Sequence, residues 1–277
     1  MAVTATAGAA SKAPEYWEQV GRELRHNPRD SVWRNYCDTI NRNWLLKHIP
    51  RRQVATALKT DLYDEAVGEG VFSLLRTHAK RVYGIDLAAN TCCRAVERFP
   101  ALHAIVCDVR KLPLTQASLG LVVSLSTMDH FESAAMIENA LAAVYESLQP
   151  GGCLLMTLDN LSNPCVRLRN SLPWKVLHSC GLVPYRTGVT VTCAQLRRML
   201  ARVGFTVEHT GHLLHLPRVF GVLLARTLDR VGPPAGEWFC RLALPWELLG
   251  HLPTPSWTGY YTTATASKRP LRQDPNS

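Results

Sequence analysis

The fold turns on Ala57-Leu58-Lys59-Thr60-Asp61-Leu62-Tyr63-Asp64-Glu65-Ala66-Val67-Gly68-Glu69-Gly70 and on the short strand beyond it. The stretch begins as an apolar strand and runs into an acidic, glycine-bearing loop. Val71, Leu74 and Leu75 then recur at helical spacing. A short second strand, Arg81-Val82-Tyr83-Gly84-Ile85, ends in Asp86. An acid at the tip of a second strand is where a nucleoside ribose is held by its hydroxyls. The loop lacks the three spaced glycines of a dinucleotide fingerprint. Its carboxylates would repel a pyrophosphate and suit a cationic ligand.

Downstream the same unit repeats. Ala88–Phe99 has helix spacing through Ala89, Cys93 and Val96. Leu102–Cys107 reads as a third strand, with Asp108 at its end. Leu119–Leu125 is a fourth, followed by Ser126-Thr127-Met128-Asp129-His130-Phe131. Ala134–Leu148 is a long helix, Pro150-Gly151-Gly152 a turn, and Cys153–Leu158 a fifth strand. Strands alternating with helices predict a parallel sheet wound on both faces, with ligands at the carboxyl ends of the strands. Asn163–Leu182, punctuated by prolines, reads as irregular. Thr192–Val203 is a helix, Gly204–His209 a sixth strand, and Gly259–Ala266 alternates like a last one. Between them Leu213–Trp257 holds two apolar helical stretches, Val219–Val231 and Glu237–Gly250. Upstream, Pro14–Arg25 and a helix from Ser31 to Leu46 would form a lid, with Trp33, Tyr36 and Asn41 either lining a pocket beneath it or packing on the sheet.

Composition narrows the class. The 277 residues suffice for one large domain, or one domain with an insertion. At 47% apolar and 19% charged the chain can bury a core. No uncharged apolar run reaches the roughly 18 residues of a membrane span, and Met1–Pro14 has no apolar signal core. Nine cysteines without a C-x-x-C pair fit free thiols in a reducing cytoplasm, where the protein is expected. The net charge is +9, and Asn160 to Val207 holds seven named basic residues (Arg167, Arg169, Lys175, Arg186, Arg197, Arg198, Arg202) without an acid. Such a stretch suits an acidic substrate, anionic lipid or RNA, or is a solvated basic surface.

The ordered set of Asp86, Asp108, the phrase Cys107-Asp108-Val109-Arg110-Lys111-Leu112-Pro113-Leu114, the strand Leu119-Gly120-Leu121-Val122-Val123 and the element Leu148-Gln149-Pro150-Gly151-Gly152 resembles class I S-adenosylmethionine-dependent methyltransferases. The resemblance covers Arg52 to Phe205 and the last strand. It implies a Rossmann-like, seven-stranded α/β sheet, mostly parallel with an antiparallel last strand and helices on both faces. The implied organisation is a disordered tail (1–13), a helical lid (14–50), the cofactor-binding core (51–212), a helical hydrophobic insertion (213–257), the last core strand (258–267) and a basic tail (268–277). It also implies S-adenosyl-L-methionine as cofactor. The Asp61–Gly70 loop, with Asp61, Glu65 and Gly68, would wrap its methionine end. Asp86 with Leu87 would take the ribose hydroxyls, Asp108 with Val109 the adenine, and Ser126 would approach the sulfonium. The family's first motif, acid-x-Gly-x-Gly-x-Gly, is altered here: two of its glycines are missing, so the loop must take another path or bind its ligand less well.

For the chemistry, His130 is the candidate base and Asp129 its orienting or substrate-binding partner. His212 is a candidate substrate contact, as is His215. The spacing of His209, His212 and His215 could serve a metal, but no cysteine or carboxylate completes a set and no metal is expected. The expected activity is methylation of a partly apolar small molecule. The alternatives are an RNA methyltransferase, against which no RNA-binding module is visible, and a non-methylating enzyme or binding protein on the same fold. Leu213–Trp257 could cap the site, meet a membrane surface, form a dimer face, or thicken the core.

Overall fold

A computed structural model describes residues 13–25, 31–180, 183, 185–231 and 233–270. Most of the two expected tails lies outside these residues.

Seven strands form one sheet: β1 (Val54–Lys59), β2 (Ala79–Asp86), β3 (His103–Val106), β4 (Leu119–Leu125), β5 (Leu148–Asp159), β6 (Thr206–Leu213) and β7 (Tyr261–Ser267). Their order is β3-β2-β1-β4-β5-β7-β6. The first five pair in parallel, and β7 runs antiparallel between β5 and β6. This is the expected architecture. Alternation along β4 divides the core: Leu121 and Val123 face one layer, Val122 the other. The order reverses beside β1, so the carboxyl ends of β1 and β4 flank a crevice where ligands bind in such sheets.

Two helices precede the sheet, α1 (Ala13–Arg25) and α2 (Ser31–His48). Between β1 and β2 stand α3 (Tyr63–Val67) and α4 (Phe72–His78), then α5 (Ala89–Arg98) after β2 and α6 (Ala134–Ser147) after β4. The stretch expected to be irregular after β5 contains α7 (Pro164–Ser171) and α8 (Trp174–Ser179). The sequence held the signal. The Asn163 side chain accepts hydrogen bonds from the Cys165 and Val166 amides, and Pro164 occupies the first turn. That is a helix start, not only punctuation. Next, α9 (Cys193–Val203) opens on a Thr192–Gln195 capping box and closes at Gly204, whose φ is +112°.

The segment between β6 and β7 forms α10 (Arg218–Leu228), α11 (Pro233–Ala243), a 3-10 stretch (Leu244–His251) and α12 (Pro255–Thr258). Glu237–Gly250 is therefore not one helix. Pro245 has no amide to continue it, and the chain tightens there. The inner sides of α10 and α11 pack on α2: a Cβ at Gly221 would meet the Trp33 ring at 2.3 Å, and the Tyr36 and Phe239 rings lie 5.6 Å apart. Asp229 fastens the start of α2 by accepting from Ser31 Oγ (2.6 Å) and the Val32 amide (3.0 Å). The outer sides leave Phe220, Leu223, Trp238 and Leu242 exposed. No helix among the described residues is long and apolar enough to cross a membrane.

Two other expectations change. Pro150-Gly151-Gly152 is not a free turn but lies within β5, where Gly151 takes φ +77°. β6 runs past His209 to Leu213, so His212 belongs to the strand rather than to a loop beyond it.

Candidate active site

The loop after β1 is built around a buried ion pair. Lys59, the last residue of β1, meets Glu65 at 2.8 Å, and both are almost wholly inaccessible. Burial works against the Lys59 charge, but Glu65, Asp61 and Asp64 outweigh it and hold the ammonium above its ordinary value. Lys59 also donates to the Asp61 carbonyl, and Glu65 accepts from the Val71 amide (2.9 Å). Gly70 is required here: its φ is +52°, and a Cβ would sit 2.4 Å from Glu65 Oε1. A polar pair and the short helix α3 thus replace the glycine-rich turn. From α2, Asp38 accepts from the Gly70 amide (3.0 Å) and Arg34 donates to the Tyr63 hydroxyl (2.9 Å). The loop and α2 are one assembly.

A cavity of about 460 Å³ opens along the carboxyl ends of the strands. At one end stand Asp61, Asp64, Asp86 and Asp108 with Leu87 and Val109. Asp86 Oδ1 accepts from the Ala88 amide (2.8 Å) and Oδ2 from the Leu62 amide (3.2 Å). Each oxygen keeps a lone pair for a further donor. Burial and then Asp61 push the Asp86 carboxyl up to about 7. Asp64 is pushed up to about 6, chiefly by burial and, against the pull of Lys59, by Asp61 and Glu65. Behind them burial and Asp64 push Asp38 up to about 8. Crowded acids of this kind favour a cation among them.

Asp108 differs. Its two oxygens are gripped by the Arg110 guanidinium, with Nε at 3.0 and 2.9 Å, and the Arg110 amide donates as well (2.9 Å). Arg110 itself lies over the Phe131 ring, 5.3 Å from its centre.

Toward the other end come Ser126, Thr127, His130, Thr157, Tyr185, Arg218 and Tyr261, with Trp17, Trp33 and Asn41 on the helical side. Ser126 follows β4 with φ +54°, unusual for a residue with a Cβ, and such strain gathers at functional sites. Its hydroxyl donates to Asp129 Oδ2 (2.6 Å). His130 Nε2 stands 3.7 Å from Asp129 Oδ1, and Nδ1 is 3.3 Å from the Arg186 carbonyl. The ring leans on Trp17 (4.7 Å) and Tyr185 (5.1 Å). Burial pushes the Asp129 carboxyl up to about 6 against the pull of His130.

Of the residues singled out from sequence, Asp61, Asp86, Leu87, Asp108, Val109, Ser126, His130, Trp33 and Asn41 line this one cavity. Five do not. Glu65 is turned inward to Lys59. Gly68 faces α2 and gives its carbonyl to Arg98. Asp129 sits behind Ser126 and His130. Tyr36 is wholly buried, its aromatic body in the core. His212 lies in β6 against the Cys193 thiol (3.3 Å). The three histidines part company: His209 stacks on His48 (5.1 Å), and His215 bonds to Thr258 (2.7 Å). Among the described residues no cluster could hold a metal.

Sequence reasoning missed Trp17, Tyr63, Tyr185, Arg218 and Tyr261. Trp17 lies beside the apolar stripe that marked α1; Tyr63, Arg218 and Tyr261 open α3, α10 and β7, and Tyr185 lies in the loop between α8 and α9. The acid-free basic stretch also proves divided: Arg169 turns in to Asp159 (2.6 Å), Arg202 pairs with Glu138, and Arg186 lies over Trp174 (5.2 Å).

In keeping with this geometry, residues 64–156 match the family model described as "Methyltransferase domain". That match places a methyltransferase domain in residues 64–156, and the sheet around it has the fold of the class I S-adenosylmethionine-dependent methyltransferases. A protein of Mycolicibacterium smegmatis described as a probable S-adenosylmethionine-dependent methyltransferase is 26% identical over 175 residues, which are 62% of this chain and 63% of that one. The chain thus matches under two thirds of that relative's length. Geranyl diphosphate C-methyltransferase of Streptomyces coelicolor shares the fold with a TM-score of 0.55 at 12% identity, over 83% of this chain and 78% of that one. So does the [4+2]-cyclase SpnF, with a TM-score of 0.55 at 15% identity over 83% and 80%.

Proposed function

We infer that the protein is an enzyme that transfers a methyl group from S-adenosylmethionine to a small, partly apolar acceptor. The observation that carries this reading is the single cavity joining Asp86 and Asp108, at the tips of β2 and β3, to Ser126 and His130 beyond β4. The donor set fits the cofactor. Asp86 has lone pairs free for two ribose hydroxyls. Asp61, Asp64 and Asp86 form an anionic nest for a sulfonium and an ammonium. Leu87, Val109 and Phe131 give flat apolar walls for a purine. Asp108 would share its carboxylate between Arg110 and the purine amine.

S-adenosylmethionine would supply an electrophilic methyl, so the chain chiefly positions and shields. Ser126 and Thr127 would border the reacting centre. Thr60 and Thr127 hydroxyls bond each other at 2.9 Å and tie β1 to β4 there. His130 would take the acceptor's proton at Nε2, and Asp129 stands where that proton would be held. Trp17, Trp33 and Tyr185 would sheath an apolar acceptor and exclude water. That the sheet alone does not decide the reaction is plain from the cyclase with the same fold.

Calorimetric titration with S-adenosylhomocysteine tests the reading. We expect saturable binding; none at high micromolar concentration would remove it.

A further inference from the structure

Four arginines stand in or against the cavity, and they differ in what satisfies them. Arg34 bonds the Tyr63 hydroxyl, Arg110 grips Asp108, and Arg169 pairs with Asp159 and Tyr260. Arg218 has neither a hydrogen bond nor an ion pair among the described residues. Its guanidinium lies over the Tyr260 ring, 4.7 Å from the centre, and borders the cavity with Tyr185, Tyr261 and Thr157. Asp159 acts on it through space, but that carboxylate is already bonded to Arg169 at 2.6 Å.

The backbone around Arg218 adds to the imbalance. Arg218 is the first residue of α10, whose first turn contains no acid and whose N-cap, Pro217, offers no side-chain acceptor. A helix N-terminus carries partial positive charge, so a cation there is disfavoured and an anion is drawn in. An aromatic face offsets part of the cost of an unpaired guanidinium, but its fork of N–H donors is matched by a carboxylate or phosphate. Tyr185 and Tyr261 can add hydroxyl donors. The opposite end of the cavity, with its four aspartates, would repel the same anion, so a ligand bearing one is oriented as well as held.

We propose that Arg218 forms an oxyanion subsite at the acceptor end of the cavity, and that the acceptor is an amphiphile whose apolar body lies along Trp17, Trp33 and Tyr185 while its carboxylate or phosphate sits on Arg218. The proposal rests on the methyltransferase reading only for calling that end the acceptor's.

Tryptophan fluorescence, with Trp17 and Trp33 in the cavity wall, measures it directly. The full chain, with and without S-adenosylhomocysteine, is titrated with octanoate, octyl phosphate, octanol and octylamine. We expect one or both anions to bind about tenfold tighter than octanol, with octylamine the weakest. Whichever anion wins identifies the headgroup. Arg218→Gln should bring the anions down to the level of octanol, and Arg218→Lys should retain part of the preference. Wild-type protein that treats octanoate, octyl phosphate and octanol alike overturns the proposal without recourse to any variant. So does an Arg218→Gln protein that folds and still prefers anions. Cofactor affinity is read separately. An anion preference without S-adenosylhomocysteine binding would sink the methyl-transfer reading and keep the subsite; cofactor binding without anion preference would do the reverse.

Discussion

The two ends of the cavity are opposites in charge and in construction. The acid end takes Asp61, Asp64, Asp86 and Asp108 from one run of chain, β1 to β3. The other end draws Trp17, His130, Tyr185, Arg218 and Tyr261 from five separate places. Sheet topology forces the first arrangement, because parallel neighbours bring successive strand tips side by side. The second depends on how α1, α10 and the segment after α8 fold back over the sheet. One end therefore follows from the fold, while the other depends on how this chain's remaining segments pack over it.

The sharpest way to break this contrast is to attack the foundation of the acid end. Lys59→Met leaves the Glu65 carboxylate buried without its partner, and we expect a loss of about 3–5 kcal/mol of stability. The double change Lys59→Met with Glu65→Met should recover most of it, since a well-packed apolar pair is about as good as a buried ion pair. Urea unfolding of the three proteins measures both. If the single variant unfolds like the parent, the ion pair does not hold the loop.

His130→Ala sharpens the comparison from the other side. As the proton acceptor, His130 should be worth about 10²-fold or more in turnover, with S-adenosylhomocysteine affinity unmoved. Equal losses in both would place His130 in the cofactor's half. Asp86→Asn should show the converse, weakening cofactor binding by about 1–3 kcal/mol while the fold stands. Asp108→Asn should cost less, because Arg110 already occupies both of its oxygens. Calorimetry on the two variants orders them.

The same division separates the residues whose roles are legible in the sequence from those whose roles are not. The first five strands are legible because each carries a short apolar run ended by a polar tip, and those tips carry Asp86, Asp108 and Ser126. Lys59 is not, since nothing in the local pattern tells a buried lysine in a strand from an exposed one; its partner lies six residues on in α3. Tyr36 and Trp33 share a helix and look alike in sequence, yet only Trp33 reaches the cavity. That outcome is set by α10 and α11, almost two hundred residues downstream. Arg218 opens an apolar segment in which the leucines and tryptophans give the stronger signal.

The smallest expected effect joins the two ends through protons. With no cation present, Asp86 holds its proton up to about 7, because burial and Asp61 disfavour its charge. A sulfonium or ammonium beside it would favour the ionised form and lower that value. Binding below the free value must therefore expel a proton, and affinity should climb by up to about tenfold from pH 6 to pH 8, then level off. For the ligand-free protein the sign is opposite. An acid whose folded value is raised favours folding while protonated, so its contribution is complete below the unfolded value of about 4 and is lost as pH rises through 7. Asp86→Asn should flatten both slopes. Calorimetry in two buffers of different ionisation enthalpy counts the released protons, and thermal unfolding across the same range follows stability. A cofactor affinity that falls from pH 6 to pH 8 would mean that Asp61, Asp64 and Asp86 do not face the cation, and the charge contrast between the ends would lose its acid half.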